Sequence, residues 1–213
     1  LENISVYSLH IDHENNLWVG SKGKGLYVIK NINTFSLQNA NITSIPIYPL
    51  KDIYSITQDY QNNIWLASYG QGLGLLSSPL DTPNLLISSL PNNYIRYVYN
   101  DLDDNLWIST NKGLFVLKKN NFDVSSKGLI QFNNKKDKLS SLSYDEIGNV
   151  FQSSDKTIYV ATMGGGVSYM SYENFSSKNY QWNHLSTKDG LSSDVVLSIQ
   201  EDFYKNIWIS TNA

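Results

Sequence analysis

Asp12-His13-Glu14-Asn15-Asn16-Leu17-Trp18-Val19-Gly20-Ser21, continued through Gly23 and Gly25 to Leu26, is the stretch that the rest of the chain repeats. It returns as Asp59-Tyr60-Gln61-Asn62-Asn63-Ile64-Trp65-Leu66-Ala67-Ser68, followed by Gly70, Gly72 and Leu73. A third copy runs from Asp101 through Asn105 and Trp107 to Thr110, Gly113 and Leu114. The fourth has Ser153 for the Asp and Tyr159 for the Trp, yet keeps Ala161-Thr162 and Gly164-Gly165-Gly166-Val167. A fifth comprises Asp202 to Asn206, Trp208, Ser210 and Thr211. The aromatic anchors at 18, 65, 107, 159 and 208 lie 47, 42, 52 and 49 residues apart. Self-similarity at such a period marks a repeat architecture.

Each copy parses into the same parts. An apolar-rich stretch ends on the Asp: Ile4 to Asp12, Ile53 to Asp59, Tyr94 to Asp101, Ile147 to Ser153 and Val195 to Asp202. Apolar residues fall six and three places before the Asp: Val6 and Leu9, Ile53 and Ile56, Ile95 and Val98, Ile147 and Val150, Val196 and Ile199. A spacing of three is half a helical signature. The runs are short, rich in β-branched residues and bounded by turn formers, so they read as strands carrying a twist or a bulge. A tight Asn/Asp turn follows, of the kind that tolerates left-handed geometry. The second strand carries the Trp, and a glycine turn leads to a third: Leu26 to Lys30, Leu73 to Ser77, Leu114 to Lys118 and Val167 to Ser171. A weaker apolar run closes each copy, near Phe35–Leu37, Leu85–Ile87, Leu129–Phe132, and Tyr180–Trp182 with Leu185.

Four short strands per repeat is the arithmetic of an all-β propeller of four-stranded blades. The expected blades are 1–46, 47–90, 91–142 and 143–190, with a partial fifth at 191–213. Stacking the blades would bury each Trp and each inner-strand apolar pair between neighbours. Ser125 to Ser141 reads as a polar loop around the third blade's outer strand. About four and a half blades do not make a ring by the usual strand exchange, so the count predicts a truncated segment of a larger propeller.

Composition narrows the function. Apolar residues at 41% and aromatics at 13% supply a core, and a net charge of -3 argues against nucleic acid as a partner. Among the 16 basic residues Arg96 is the single arginine. There is no Cys, which excludes thiolate chemistry and disulfides. No apolar run reaches the roughly 18 residues of a membrane span.

The pattern Val/Ile-x-x-Ile-x-x-Asp-x-x-x-Asn-Leu/Ile-Trp-Ile/Val-x-Ser/Thr, followed by Gly-Leu, resembles the two-component regulator propeller repeat. Thr187-Lys188-Asp189-Gly190-Leu191-Ser192-Ser193-Asp194-Val195-Val196, running on to Asp202, is similar to the way such repeats are joined. The resemblance covers essentially the whole chain. It implies a periplasmic sensor region of a hybrid two-component regulator. In that family propellers precede a β-sandwich, a membrane span and a histidine kinase, often with a receiver and a DNA-binding domain. Implied partners are an oligosaccharide released from a complex glycan, a membrane tether outside this chain and a second protomer in a homodimer. The implied output is expression of carbohydrate-utilisation genes. No kinase motif occurs here, so no catalysis is expected of this segment. Ser153, Tyr159 and the shortened Asn111-Lys112-Gly113 turn depart from the pattern.

The candidate chemistry is weighed residue by residue. A Trp fixed in every repeat is core rather than a sugar platform, and the repeated Asp and Asn close the turn by side-chain to backbone hydrogen bonds. Asp101-x-Asp103-x-Asn105 begins like a calcium loop but has Leu106 and Lys112 where Gly and Glu belong. Met163-Gly164-Gly165-Gly166 lacks the Lys-Ser/Thr of a phosphate loop and reads as a turn needing positive φ. His10 and His13, three apart on a strand, face opposite ways, so no metal and no cofactor are expected. Adjacent acids such as Asp145-Glu146 and Glu201-Asp202 point to opposite faces and do not form a glycosidase pair.

The informative positions are those where the repeats differ. Five places before the Asp stand Tyr7, Tyr54, Arg96, Gly148 and Leu197, and the glycine turns vary at Ser21-Lys22, Tyr69-Gln71, Asn111-Lys112 and Met163. Tyrosine rings offer flat apolar faces with a polar edge, which suits sugars, while Arg96 and Lys112 suit an acidic or hydroxyl-rich ligand. Tyr7, Tyr54, Tyr69, Arg96, Asn111 and Lys112 are therefore the ligand-binding candidates. Two other classes stay open on the residues alone: a propeller glycan lyase or glycosidase, and a dimerisation scaffold.

Overall fold

A computed structural model describes residues 4–32, 42–45, 47, 49–77, 84–88, 90–119, 128–135 and 140–212. Among them the architecture is all-β. The first sheet runs in order β1 (Val6–Ile11), β2 (Leu17–Ser21), β3 (Leu26–Ile29) and β4 (Ile42–Ile45). The second repeats it with β5 (Ile53–Gln58), β6 (Ile64–Ser68), β7 (Gly72–Ser77) and β8 (Asn84–Ser88). The third holds β9 (Ile95–Asn100), β10 (Leu106–Thr110), β11 (Gly113–Leu117) and β12 (Leu129–Phe132). The fourth holds β13 (Ile147–Gln152), β14 (Thr157–Thr162), β15 (Val167–Ser171) and β16 (Asn183–Leu185). The fifth has two strands, β17 (Val196–Glu201) and β18 (Ile207–Thr211). These are propeller blades. The chain divides into two compact units, Leu1–Val98 and Tyr99–Ala213, the boundary falling inside β9.

The outer strands depart from expectation in two blades. The first is closed by Ile42–Ile45, while Phe35–Leu37 lies outside the described residues, as does much of the expected loop from Ser125 to Ser141. In the fourth, pairing begins only at Asn183. Tyr180 and Trp182 pack instead against Phe132, edge-on at 4.9 and 5.3 Å, because ring burial outweighs extending the ladder. A helical turn, α1 (Tyr172–Ser176), capped by Ser171, and a 3-10 turn at Thr187–Asp189 interrupt the β pattern. The α1 turn places Phe175, 4.9 Å from Trp107, over that indole.

The spacing of three on the inner strands has a structural cause. In β1, β5, β13 and β17 the register slips at one place, between Val6 and Ser8, Ile53 and Ser55, Ile147 and Asn149, and Val196 and Ser198. Each slip is a bulge of one residue, which turns an odd spacing into a shared face. Ile53 and Ile56 thus enter one core with Trp18, Leu26 and Leu66 in the first unit. Ile147 and Val150 enter another with Trp107, Val116 and Val160 in the second. On β1 the equivalent Val6 and Leu9 are 45% and 63% exposed, since no described residue covers them.

The turn after each inner strand is a carboxylate clasp. Asp12 Oδ1 accepts the backbone N–H groups of Glu14 and Asn16 at 2.9 and 2.8 Å. Its Oδ2 accepts Asn16 Nδ2 at 2.9 Å and the indole Nε1 of Trp18 at 2.8 Å. Asp59, Asp101 and Asp202 repeat the set, with Trp65, Trp107 and Trp208 donating at 2.9, 2.8 and 2.8 Å. The residue before the clasp's Asn is left-handed each time, at φ 61° for Asn15, 64° for Asn62 and 62° for Asp104. In the fourth blade the missing carboxylate is supplied two residues later. Ser153 Oγ donates to Asp155, which accepts the N–H of Thr157 at 3.0 Å. The side chains of Asn206 and Trp208 hold exposed Asp202 down to about 2, whereas desolvation pushes buried Asp101 above the ordinary carboxylate value despite the same bonds.

Neighbouring blades within each unit are also tied by the residue just before the Asp. Gln58 Oε1 accepts the N–H of His13 at 2.9 Å, Gln152 Oε1 that of Leu102 at 2.8 Å and Glu201 that of Ser154 at 2.8 Å. The indoles of Trp18, Trp65 and Trp107 are 2%, 1% and 1% exposed. Trp208 keeps its clasp and is 64% exposed, because no described strand lies on that face. The clasp orients the indole, and the neighbouring blade dries it.

Replacing Asp59 by Ala removes the shared acceptor of the Trp65 indole, two backbone donors and the Asn63 amide from a buried site. The expected loss is about 3 kcal/mol, read as a lower urea midpoint at unchanged m-value. Gly166→Ala puts a Cβ 2.0 Å from the Leu185 carbonyl oxygen at φ +74°. It should destabilise by about 2 kcal/mol or more in the same measurement.

Candidate functional site

The bulge residue skipped in the first two ladders is Tyr7 in β1 and Tyr54 in β5. A bulge re-aims the side chain of the extra residue. Here it sets the two rings 4.7 Å apart at 57°. The row continues into the glycine turn after β6, where Tyr69 lies 5.6 Å from Tyr54. Tyr69 forms an isolated bridge with Tyr94, and their rings meet edge-on at 5.1 Å. Arg96 lies at the corresponding position of β9, its guanidinium 5.0 Å above the Tyr69 ring. Tilted and edge-on contacts at these separations suit the ring quadrupoles, and the cation over Tyr69 adds to them. All five residues belong to the first unit.

Charged groups stand at both ends of the row. The exposed Lys22 ammonium lies close enough to the Tyr7 hydroxyl for that group to raise the lysine's pKa. Asp52 accepts the Gly23 N–H at 2.8 Å and lies near enough to act on Tyr54. Tyr54 is raised above its ordinary value, first by burial, then by its hydrogen bond to Tyr7 and by the charge of Asp52. Tyr7 and Tyr94 are 39% and 48% exposed, with Tyr54, Tyr69 and Arg96 half-buried, so the row presents ring surface to solvent.

Four of the six sequence candidates are thus brought together: Tyr7, Tyr54, Tyr69 and Arg96. Asn111 and Lys112 belong to the second unit and serve its glycine turn. Lys112 N–H donates to Thr110 Oγ1 at 3.0 Å, and its carbonyl accepts from Asn133 at 2.8 Å. The sequence reading passed over Tyr94 and Lys22. Tyr94 opens the third copy's apolar stretch but falls at none of the positions compared between repeats, and its signal was an aromatic residue directly preceding an inner strand. Lys22 was visible only as a variable turn residue. At the same bulge position the later blades carry Gly148, which has no side chain, and Leu197.

Other polar clusters do not assemble into a reactive site. Ser168 Oγ lies 3.1 Å from His184 Nδ1, as a nucleophile and base would, but Ser168 is fully buried and accepts the Ser143 N–H at 3.0 Å. Among the described residues no group of three metal-ligating side chains occurs, and no helix is long and apolar enough to cross a membrane.

Four copies of the repeat match the family model described as two component regulator propeller, at residues 1–23, 48–70, 89–112 and 190–213. These blades are two-component regulator propeller repeats. The fourth blade, with Ser153 and Tyr159, lies outside the matched stretches, in keeping with its relocated carboxylate. Histidine kinase P4 of Formosa agariphila is 29% identical over 124 residues, which is 58% of this chain and 8% of that protein. Among solved structures, the extracellular domain of a hybrid two component system from B. thetaiotaomicron superposes with TM-score 0.74 at 17% identity, over 97% of this chain and 26% of that one. PorZ of Porphyromonas gingivalis, a surface component of the type-IX secretion system, gives 0.70 at 16%, over 97% and 31%. A streptogramin B lyase gives 0.66 at 13%, over 96% and 61%. At these identities the three structures speak for the fold alone.

The row makes a spectroscopic prediction. In a titration of protein carrying 13Cζ-labelled tyrosine, Tyr54 should deprotonate above the ordinary 10.0. Tyr7→Phe, which removes its hydrogen-bond partner, should bring the Tyr54 midpoint back toward that value.

Proposed function

We propose that this chain is a non-catalytic, extracytoplasmic sensing segment of a hybrid two-component regulator. It detects a glycan-derived oligosaccharide in the periplasm and controls carbohydrate-utilisation genes through kinase domains outside these 213 residues. The observation that carries the reading is the tyrosine row. Four rings with solvent-facing surface gather there, Tyr7 and Tyr54 on inner-strand bulges that a regular ladder would not need, Tyr69 in a glycine turn and Tyr94 just before β9. Such rings have an apolar face for the C–H surface of a sugar and a hydroxyl for its edge. The repeat type supports the regulator assignment, and the 29% identity to a histidine kinase points the same way. Membrane tether and kinase would lie in the remainder of such a protein, and the intact protein would pair with a second protomer.

The enzyme alternative finds less support. The acids of the blade turns are engaged in clasps, and the Ser168–His184 contact is closed to substrate. The test is a calorimetric titration of the extracytoplasmic region with a panel of plant and algal oligosaccharides, followed by analysis of the sugars recovered. One class should bind and come back intact, and Tyr54→Ala or Tyr69→Ala should weaken it by about tenfold each, the value of one lost ring contact. Shortened or unsaturated products, or binding indifferent to both substitutions, would overturn the proposal.

A further inference from the structure

We infer that the tyrosine row takes an acidic saccharide, a glycan fragment bearing a carboxylate or sulfate ester whose anionic group is received by Arg96 while its rings lie along Tyr54 and Tyr69. This deepens the saccharide reading above and rests on it. Arg96 is the single arginine of a chain whose other 15 basic residues are lysines. It stands on β9 at the position that corresponds to Tyr7 and Tyr54, beside the tyrosines and not on a solvated turn. A lysine would serve for solubility or for a diffuse positive field. A guanidinium differs in presenting a rigid planar fork that matches the two oxygens of a carboxylate or sulfate. Its stacking over Tyr69 at 5.0 Å holds that plane, so less ordering remains to be done when the anion arrives.

The charge distribution agrees. The chain as a whole is at -3, yet the row carries a cation at each end, Lys22 at Tyr7 and Arg96 at Tyr69. The facing carboxylate is Asp52, whose Oδ1 is held by the Gly23 N–H. The row is therefore locally positive on an acidic protein, which favours capture of an anion from solution. A neutral sugar could accept hydrogen bonds from these donors but would gain nothing from their charge.

The experiment titrates the protein with oligogalacturonate, oligoalginate and sulfated galactan oligosaccharides, each beside its carboxyl-reduced or desulfated counterpart. At least one acidic probe should bind about tenfold or more tighter than its neutral partner, the ratio that one charge-assisted hydrogen bond carries. The preference should shrink with added salt. Whether the uronates or the sulfated probe show it decides which anion is read. Arg96→Gln should abolish the preference while leaving residual binding. Lys22→Gln alters an exposed side chain that the fold does not need, and should reduce the preference severalfold with the melting temperature unchanged. Equal affinity for acidic and neutral partners, with both variants behaving as wild type, would overturn the inference and leave the saccharide reading standing. Binding of none of the probes would overturn both.

Discussion

The hydrogen bond from the indole N–H to a turn carboxylate, 2.8 to 2.9 Å long in four blades, is the contact on which the rest of this molecule depends. It solves two problems together. A blade must bury a large ring against its neighbour, and an indole buried without a partner for its N–H is penalised. It must also reverse the chain in four residues, which exposes backbone donors that the same carboxylate accepts. One aspartate therefore fixes the turn, the ring and the face on which the next blade packs. The fourth blade bears this out by its exception. Where Ser153 replaces the Asp and Tyr159 the Trp, a carboxylate is recruited from Asp155 to close the turn, and the ring no longer needs it.

The second constraint is the bulge in the inner strand. A regular strand would place residues three apart on opposite faces, and half of each apolar pair would be wasted on solvent. One extra residue per strand brings both onto the core side and leaves a side chain free of the ladder. In the first unit that side chain is a tyrosine twice over, and the rings collect with Tyr69, Tyr94 and Arg96. The device that repairs the core thus also supplies the variable position from which the row of rings is built. Repeats can be stable and diverse at once because these two jobs fall on different residues of the same strand.

Much of this was legible beforehand, for physical reasons. Five copies in register exposed the period, and Asp, Asn and Trp at constant offsets announced a shared turn and core. Their divergence at Tyr7, Tyr54 and Arg96 pointed to the row. The double role of the aspartate was not legible. Nothing in the spacing says that the acid reaches the indole six residues on as well as the turn. The link through Gln58, Gln152 and Glu201 was equally hidden, since it joins residues about 45 to 50 apart in the chain. The fourth outer strand misled because Trp182 looks like part of an apolar ladder, while its ring packs on Phe132 and pairing starts only at Asn183.

The sequence by itself determined the blade, its strands, its glycine turns and the identity of its buried ring, because these depend on contacts within some twenty residues and recur until they cannot be chance. Tertiary structure alone decided which rings stay dry, since Trp208 has the same clasp as Trp65 and differs in having no described strand packed on its face. It alone decided that Tyr94 and Lys22 join the row while Asn111 and Lys112 serve a turn of the other unit. A side chain's neighbours across blades depend on where a bulge aims it, and that direction is written in the register of paired strands, not in any one of them.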